Sequence, residues 1–213
     1  MTSFITFEGI EGCGKTTQMR LAGEHLEKLE IQHILTEEPG GSPLGKRIRK
    51  ILLNEEPYRI GARAELLLFA AARAQHVEEV ILPALKAGKL VLCDRFADAS
   101  LAYQGFGRSL DMDFIQHLND FACTSLKPDL TVLFDLPVDA GLSRARDRIA
   151  RMTGSQREDR FENEQTAFHG RIRTGYLSLA RQEPDRFRVI DAARDVATVH
   201  HEVCKHLTSF IGR

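Results

Sequence analysis

Residues 9–17 form the segment of this sequence whose chemistry is easiest to interpret. They read Gly-Ile-Glu-Gly-Cys-Gly-Lys-Thr-Thr and match the pattern G-x-x-x-x-G-K-[ST]. Glycines let a backbone wrap closely around an anion, the lysine reaches the β- and γ-phosphates, and the first threonine hydroxyl binds Mg²⁺. We therefore predict a nucleoside triphosphate site formed by Gly9, Ile10, Glu11, Gly12, Cys13, Gly14, Lys15, Thr16 and Thr17.

A second candidate anion site follows the predicted strand Leu90–Cys93, where the sequence continues with Asp94 and Arg95. Parallel α/β sheets bind their ligands at the carboxyl ends of the strands. A carboxylate there can hold Mg²⁺ through water, and a guanidinium can bind a phosphate with two hydrogen bonds. We expect Thr16 and Asp94 to hold the metal and Arg95 to bind a second phosphate.

Three further groups of residues suit a second, phosphorylated substrate. Arg49 belongs to a basic helix after Gly40-Gly41, and Phe69 and Arg73 stand four residues apart, which places a ring and a guanidinium on one helix face. Residues 144–160 include six arginines around Thr153-Gly154-Ser155, a pattern typical of a mobile lid. A phosphate monoester is largely ionised at pH 7, so it is a nucleophile that needs no general base.

Composition and missing motifs exclude several function classes. Asn54, Asn119 and Asn163 are not followed by lysine, so the Asn-Lys-x-Asp motif of a GTPase is missing, and Asp135-Leu136 stands where a mechanical ATPase usually has Asp-Glu. The net charge is −1, which disfavours nucleic acid binding through bulk charge. We also find no signal peptide, no run as long as a membrane span and no cysteine pair, and we expect a cytoplasmic protein with no nucleic acid or membrane partner.

The 213 residues alternate between apolar runs and helical patterns, which predicts one α/β domain over residues 1–213. Parallel strands joined by right-handed crossovers are expected from this order, with helices on both faces of the sheet. Long helices are predicted near 15–29, 44–53 and 63–85, and another closes the chain after Asp195. The predicted strands are Ser3–Glu8, Ile31–Thr36, Leu90–Cys93, Leu130–Phe134 and Arg188–Ile190.

Over essentially its whole length the sequence resembles thymidylate kinases. The resemblance rests on Phe7-Glu8-Gly9 with the phosphate loop, Glu38-Pro39-Gly40-Gly41, Ile48-Arg49-Lys50, Leu68-Phe69-Ala70-Ala71-Ala72-Arg73, Asp94-Arg95, Leu101-Ala102-Tyr103-Gln104-Gly105, Pro128-Asp129-Leu130-Thr131 and Asp159-Arg160-Phe161-Glu162. It implies a P-loop kinase fold with a five-stranded parallel sheet and a short lid near residues 148–163. It further implies Mg²⁺-dependent transfer of the γ-phosphate of ATP to dTMP, giving dTDP for dTTP synthesis, by a cytosolic homodimer.

The resemblance also implies roles for individual residues. Phe69 would stack on thymine while Arg73 and Gln104 bond its edge, and Tyr103 would favour deoxyribose at the sugar 2′ position. Arg49 and Arg95 would hold the dTMP phosphate, in a pocket that Glu38 and Ser100 complete. The loop positions Glu11, Gly12 and Cys13 carry no arginine. The sequence therefore resembles the bacterial subtype, in which the catalytic arginine comes from the lid. Arg148 is the first choice for that arginine, Arg160 is the second, and Arg144 could stack on adenine.

The sequence departs from the family at two positions and leaves two alternative functions open. Glu37 stands where the family often has arginine, and Phe96 where tyrosine or histidine is usual. One alternative is a deoxynucleoside kinase, which would need Glu37 or Glu38 as a carboxylate base. The other is a non-catalytic nucleotide-binding module with a P-loop.

Overall fold

The computed structural model describes residues 3–54, 59–151 and 160–212. Its strands are β1 (Phe4–Glu8), β2 (His33–Glu37), β3 (Leu90–Asp94), β4 (Leu130–Asp135) and β5 (Phe187–Asp191). Its helices are α1 (Lys15–Lys28), α2 (Pro43–Leu53), α3 (Ala62–His76), α4 (Leu82–Lys86), α5 (Ala97–Ser100), α6 (Met112–Ala122), α7 (Val138–Arg151), α8 (Thr166–Gln182) and α9 (Val196–Ile211). Two π-helical segments, Val77–Ile81 and Leu101–Gly107, complete the described elements.

The five strands form one parallel sheet in the order β2-β3-β1-β4-β5, so the predicted fold class is confirmed. All five residues of β1 are buried, and β3 and β4 are buried up to their last residue. The edge strands β2 and β5 are partly exposed. This gradient explains why the central strands are almost wholly apolar, since helices cover both faces of a parallel sheet.

The sheet order determines which loops meet at its carboxyl edge. Because β3 lies beside β1, Phe7 pairs with Asp94, and the phosphate loop after β1 adjoins the end of β3. The loop then passes directly into α1, whose N-cap is Gly14 with a φ of 93°. This left-handed conformation suits glycine and turns the loop amides toward the N-terminus of the helix.

The helix predicted over residues 63–85 is continuous in the structure, but its middle part is a π-helix. It is α-helical to His76, π-helical over Val77–Ile81, and α-helical again from Leu82. Pro83 has no N–H to donate to the preceding turn, and Leu82 N–H donates to Val77 O, five residues back. The wider turn absorbs the proline without ending the helix.

The second π-helical segment, Leu101–Gly107, carries Tyr103 and Gln104. Arg108 N donates to Tyr103 O at 2.9 Å, which is again a bond five residues back. π-turns occur frequently at functional sites because they displace side chains from the usual helical positions. The predicted hinge Thr153-Gly154-Ser155 and most of the predicted lid lie outside the described residues. In the described part of the chain, no helix combines the length and the apolar character needed to span a membrane.

Candidate active site

A cleft of about 750 Å³ opens at the carboxyl edge of the sheet. Its walls come from the phosphate loop, α3, the end of β3, the segment Leu101–Gly107, α7 and the chain after residue 160. The predicted site residues in its lining are Glu11, Gly12, Cys13, Gly14, Lys15, Thr16, Thr17, Glu38, Arg49, Phe69, Arg73, Asp94, Arg95, Ser100, Tyr103, Gln104, Arg144, Arg148 and Arg160. Gly9 and Ile10 do not line it and instead support Lys15 from behind.

The phosphate loop is held by contacts that need its glycines and its lysine. Lys15 Nζ donates to the carbonyl oxygens of Gly9 and Ile10 at 2.9 and 3.0 Å, so the ammonium lies inside the loop. A Cβ on Gly12 would come within 2.0 Å of Gly141 O on α7, so a larger residue cannot fit there. The lysine and the glycines therefore hold the loop closely against α7, and the backbone amides of such a loop can bind an anion.

The candidate metal ligands lie next to each other, as predicted. Thr16 Oγ1 donates to Asp94 Oδ2 at 3.3 Å, across the junction of β1 and β3. A hydroxyl and a carboxylate are the hard oxygen ligands that Mg²⁺ prefers, and phosphate oxygens and waters can complete an octahedron. The donor set therefore fits this metal. No cluster of three or more histidine, cysteine or carboxylate side chains suited to a metal occurs within the described ranges.

Arg95 is held by side chains from the phosphate loop and from the segment Leu101–Gly107. Its Nη2 donates to Glu11 Oε1 and to the Tyr103 hydroxyl, both at 3.0 Å. The Tyr103 hydroxyl donates to the same Glu11 oxygen at 2.5 Å. Burial raises the pKa of Glu11, but His169, Arg95 and Tyr103 together bring it below its usual range. Glu11 is therefore an ionised group that ties the phosphate loop to Arg95.

Arg73 is fully buried at the base of the cleft. Its Nε donates to Glu38 Oε2 at 2.7 Å, and Nη1 donates to Ser100 Oγ and Asn119 Oδ1 at 2.9 and 2.8 Å. Its Nη2 donates to Phe96 O at 3.0 Å. These bonds use four of the five N–H groups of a guanidinium. One Nη2 hydrogen is left for a ligand by the contacts with described residues.

Gln104 has its amide orientation set by a buried carboxylate. Its Nε2 donates to Glu65 Oε1 at 2.9 Å, and an ionised carboxylate can only accept hydrogen bonds. The amide oxygen is consequently the atom of Gln104 available to a ligand in the cleft. A group that carries an N–H donor, such as N3 of thymine, fits this orientation.

Aromatic rings form one wall beside these polar groups. Phe69 lies 6.3 Å from Phe161 between ring centroids, and Tyr103 lies 5.4 Å from Phe161 in an edge-to-face arrangement. Phe161 in turn stacks with Phe168 of α8. The wall is apolar, and a ring exposed on it can stack on a nucleobase.

The three arginines expected to act from the lid region lie at different places. Arg144 Nη1 donates to Ala192 O at 3.1 Å, on the side of the cleft beside the start of α9. The side chain of Arg148 is 57% exposed, and its Nη2 donates to Glu162 Oε1 at 3.0 Å. Arg160 bonds Glu65 and donates to Leu52 O at 2.8 Å. Arg160 thus belongs to the wall near Gln104, whereas Arg148 is a lining residue whose side chain is largely exposed.

Sequence reasoning missed several residues that hold this site together. Glu65, which is fully buried, binds Gln104, Arg108 and Arg160. The buried His169 contacts Glu11 Oε2 at 3.1 Å and Phe161 O at 3.0 Å. A charged residue inside the apolar stretch Ala64–Ala72 is the signal that could have identified Glu65, because buried carboxylates require partners.

The two departures from the family pattern have different consequences. Phe96 is fully buried and packs edge-to-face on Phe4, with centroids 4.8 Å apart, so its side chain belongs to the core. Glu37 lies at the rim of the cleft, where its Oε2 accepts from Arg49 Nη1 at 3.1 Å. The first departure leaves the site chemistry unchanged, and the second places a negative charge beside a candidate phosphate ligand.

Comparisons with known proteins agree on one family. A family model described as thymidylate kinase matches residues 7–203. A thymidylate kinase of Syntrophus aciditrophicus is 58% identical over 97% of this chain and 94% of its own length. One from Geotalea daltonii is 53% identical over 100% of this chain and 98% of its own. The crystal structure of thymidylate kinase from Ehrlichia chaffeensis superposes with a TM-score of 0.78 at 34% identity, covering 97% of this chain and 98% of that one.

Proposed function

This chain belongs to the thymidylate kinase family and transfers the γ-phosphate of ATP to dTMP, giving dTDP, and we propose how its own residues divide that task. The observation that carries the assignment of roles is one cleft with two anion-binding halves. The phosphate loop with Lys15 forms one half, and Arg95 with Arg49 lines the other. Two phosphorylated substrates can therefore meet end to end at the carboxyl edge of the sheet.

The donor half binds ATP through the phosphate loop. The loop amides and the N-terminus of α1 supply partial positive charge, and Lys15 supplies a full charge next to the transferred phosphoryl group. Arg144 lies where an adenine ring attached to that triphosphate would extend, beside Asp195 and Val196 of the lining. A planar guanidinium can stack on the base there.

The acceptor half recognises dTMP by its base, sugar and phosphate. Thymine stacks on Phe69, its N3–H donates to the oxygen of Gln104, and the remaining N–H of Arg73 faces a carbonyl on the ring edge. Tyr103, held by Glu11, lies against the sugar and excludes a 2′ hydroxyl. The other ligands assigned to the acceptor are Glu38 and Ser100, through Arg73, and Arg49 and Arg95 at the phosphate.

The chemistry needs no general base from the protein. A dTMP phosphate is largely dianionic at neutral pH, since its second pKa is near 6, and it attacks the γ-phosphorus directly. A deoxynucleoside kinase would need a free carboxylate, but both oxygens of Glu38 are held, by Arg73 Nε at 2.7 Å and His76 Nδ1 at 3.1 Å. The arrangement therefore favours the monophosphate as acceptor.

We propose Thr16 and Asp94 as the residues that hold Mg²⁺ with the triphosphate. When bound, the metal neutralises charge on the β- and γ-phosphates. Thr16 would hold it through its hydroxyl, and Asp94 would hold it through its carboxylate, directly or through water. The hydrogen bond between the two side chains already brings their oxygen atoms into one ligand set.

We propose that a lid near residues 148–163 supplies the positive charge that the phosphate loop lacks. Glu11, Gly12 and Cys13 occupy the loop positions that could carry an arginine. Among the described residues Arg148 pairs with Glu162, and its own side chain is 57% exposed, so it is freer to move toward the transferred phosphoryl group than Arg160, whose partner Glu65 is fully buried. Arg160 is held in the wall of the acceptor half, where it contacts Glu65 and helps to hold that wall in place.

We further propose a homodimer that works in the cytoplasm. Large apolar side chains are exposed on the adjoining helices α3 and α6, namely Leu67, Phe114 and Phe121, the last 83% exposed. Such a patch is typical of a contact between subunits. Every cysteine of the chain is free, which suits a reducing compartment. Light scattering after gel filtration will measure the mass of the species in solution.

The experiment that tests these assignments is a coupled assay with ATP and either dTMP or thymidine as acceptor. We expect turnover with dTMP, and with thymidine no more than the background of an enzyme-free reaction. Chelation of Mg²⁺ with EDTA should abolish the signal, and added Mg²⁺ should restore it. Turnover with thymidine and none with dTMP would contradict the acceptor site described above.

A further inference from the structure

Glu8 is a buried carboxylic acid that the phosphoryl transfer described above does not use. It is the last residue of β1, directly before the phosphate loop, and it is fully buried. Its Oε1 accepts from the backbone N–H of Phe96 at 2.7 Å, and its Oε2 lies 2.7 Å from the Tyr176 hydroxyl. A polar group placed in a core at this cost needs a reason.

Glu8 holds the backbone amide of Phe96, a residue whose backbone contacts two arginines assigned to the acceptor site, Arg95 and Arg73. Arg95, which precedes Phe96, has a φ of 67°. Residues with a side chain rarely adopt this left-handed conformation unless the surroundings fix it. On the other side of Phe96, its carbonyl oxygen accepts from Arg73 Nη2 at 3.0 Å. One residue's backbone thus connects the phosphate ligand with the base ligand.

Other contacts hold the backbone and side chain on either side of the Phe96 amide, so that Glu8 fixes the remaining backbone group. Arg95 N donates to Phe7 O at 3.0 Å, which anchors the start of the turn to β1. The Phe96 ring packs between Phe4 and the guanidinium of Arg73, which lies 5.6 Å from its centroid. Without the Glu8 contact the Phe96 N–H would be a buried donor with no partner among the described residues. The backbone would then relax, and the guanidinium of Arg95 would turn with it.

We propose that Glu8 is a positioning residue for dTMP: its carboxyl fixes the amide of Phe96 and thereby aims Arg95 at the acceptor phosphate and Arg73 at the base. This inference rests on the roles proposed above for Arg73 and Arg95. It assigns Glu8 no contact with either substrate. Its effect should therefore appear in acceptor binding and not in ATP binding.

The ionisation of Glu8 indicates a conservative variant. Burial and the nearby Asp98 raise its pKa to about 8, although Tyr176, Arg95 and the Phe96 amide act in the opposite direction. The raised pKa shows that the surroundings of Glu8 disfavour a negative charge, so a neutral side chain of the same shape suits the position. The Tyr176 hydroxyl donates to Glu8 Oε2 at 2.7 Å. A glutamine keeps the oxygen that accepts from Phe96, and the Tyr176 hydroxyl can rotate to accept from the glutamine N–H. Glu8→Gln should thus keep both contacts.

The test compares Michaelis constants of wild type, Glu8→Gln, Glu8→Leu, Glu8→Asp and Tyr176→Phe. Leucine removes the acceptor, and aspartate withdraws it by one methylene. Both should raise KM for dTMP at least about fivefold, because a buried donor loses its partner, and should leave KM for ATP within about twofold. Glu8→Gln should stay within about twofold of wild type for both substrates. Tyr176→Phe, which removes the other contact of the same carboxyl, is the matched control and should also leave KM for dTMP unchanged.

Several outcomes would overturn the proposal. Leucine and aspartate variants with wild-type KM for dTMP would show that the Phe96 contact is not needed. A parallel rise in both Michaelis constants would indicate a general disturbance of the loop, and a Glu8→Gln variant as impaired as Glu8→Leu would assign the effect to charge. If circular dichroism shows that Glu8→Leu does not fold, Glu8→Asp and Glu8→Gln decide. Wild type that fails to phosphorylate dTMP in the same assay would refute the proposed function instead.

Discussion

The ion pair between Glu37 and Arg49 predicts a variant that binds dTMP more tightly than wild type. Arg49 is assigned to the acceptor phosphate, yet its Nη1 donates to Glu37 Oε2 at 3.1 Å. A phosphate that approaches Arg49 must share it with this carboxylate, and two negative charges then lie close together. Glu37→Gln removes the competing charge. The same Nη1 also donates to Pro39 O at 2.7 Å, so the guanidinium stays in place.

The expected gain follows from the exposure of the pair. The side chain of Arg49 is 24% exposed and that of Glu37 is 53% exposed, so water screens their attraction. Pairs of this kind contribute about 0.2–1 kcal/mol. Relief of that competition lowers KM for dTMP by between about 1.4-fold and about fivefold. KM for ATP and kcat should change little, because Glu37 does not contact the phosphate loop.

Initial rates at saturating ATP measure this effect, with Glu24→Gln as the matched control. Glu24 forms an exposed ion pair with Arg20 on α1, outside the cleft lining, so its removal should leave KM for dTMP unchanged. The advantage of Glu37→Gln should also shrink between about 0.05 M and about 0.5 M salt, since salt screens exposed charges. An unchanged or higher KM for dTMP in Glu37→Gln would refute the competition and assign Glu37 to holding Arg49 in its binding geometry.

Three further predictions concern the assigned roles. Lys15→Ala should lower kcat at least ~10²-fold at saturating substrates, since it removes the charge nearest the transferred group, and wild-type turnover would contradict that role. Gln104→Leu should weaken dTMP binding by about 1–3 kcal/mol, which raises KM for dTMP and leaves KM for ATP unchanged. A change in KM for ATP instead would contradict the assignment of Gln104 to the dTMP site. Arg148→Ala should lower kcat about 10²–10⁵-fold, at the low end of that range, while Arg160→Ala should act mainly on KM for dTMP through Glu65. If neither arginine variant lowers kcat more than about threefold, the charge comes from elsewhere.

The sequence predicted the strands well because their pattern is local. The five predicted strands agree with β1–β5 to within two residues at each end, since apolar runs bounded by turns are visible along the chain. The phosphate loop and Asp94 were equally accessible, because each follows directly on a strand. Only Pro83 indicated that the long helix is irregular, and proline is compatible with either a kink or a π-turn.

The contacts that orient the site could not be predicted because they join distant parts of the chain. Glu65 meets Gln104 across 39 positions and Arg160 across 95. Glu11 meets Arg95 across 84 positions and His169 across 158. No periodicity relates such residues, and only the packing of distant helices and loops brings them together. The sequence therefore predicted candidate substrate ligands, but not the residues that hold those side chains in place.

The charges that line the cleft divide into two kinds of pair. Each of three buried carboxylates holds two basic groups: Glu11 with Arg95 and His169, Glu38 with Arg73 and His76, and Glu65 with Arg108 and Arg160. These groups have low exposure, so breaking one bond would leave a desolvated charge, which is costly. They form the fixed part of the site.

Two other pairs in the cleft contain a more exposed arginine, Glu37 with Arg49 and Glu162 with Arg148. Both partners of the first pair are exposed to water, so exchanging its carboxylate for a phosphate costs little. In the second pair only the arginine is exposed, but burial raises the pKa of Glu162, so this carboxyl takes up a proton more readily than a usual carboxylate when Arg148 leaves it. The Glu37–Arg49 pair lies in the acceptor half of the cleft, and the Glu162–Arg148 pair lies on the more exposed part of the lining. Each of the two substrates must gain a cation when it binds. We therefore expect substrate binding to break these two pairs and leave the buried groups intact. On this reasoning we expect Arg148 to be the arginine that reaches the transferred phosphoryl group, because Arg160 would have to leave a fully buried carboxylate to reach it.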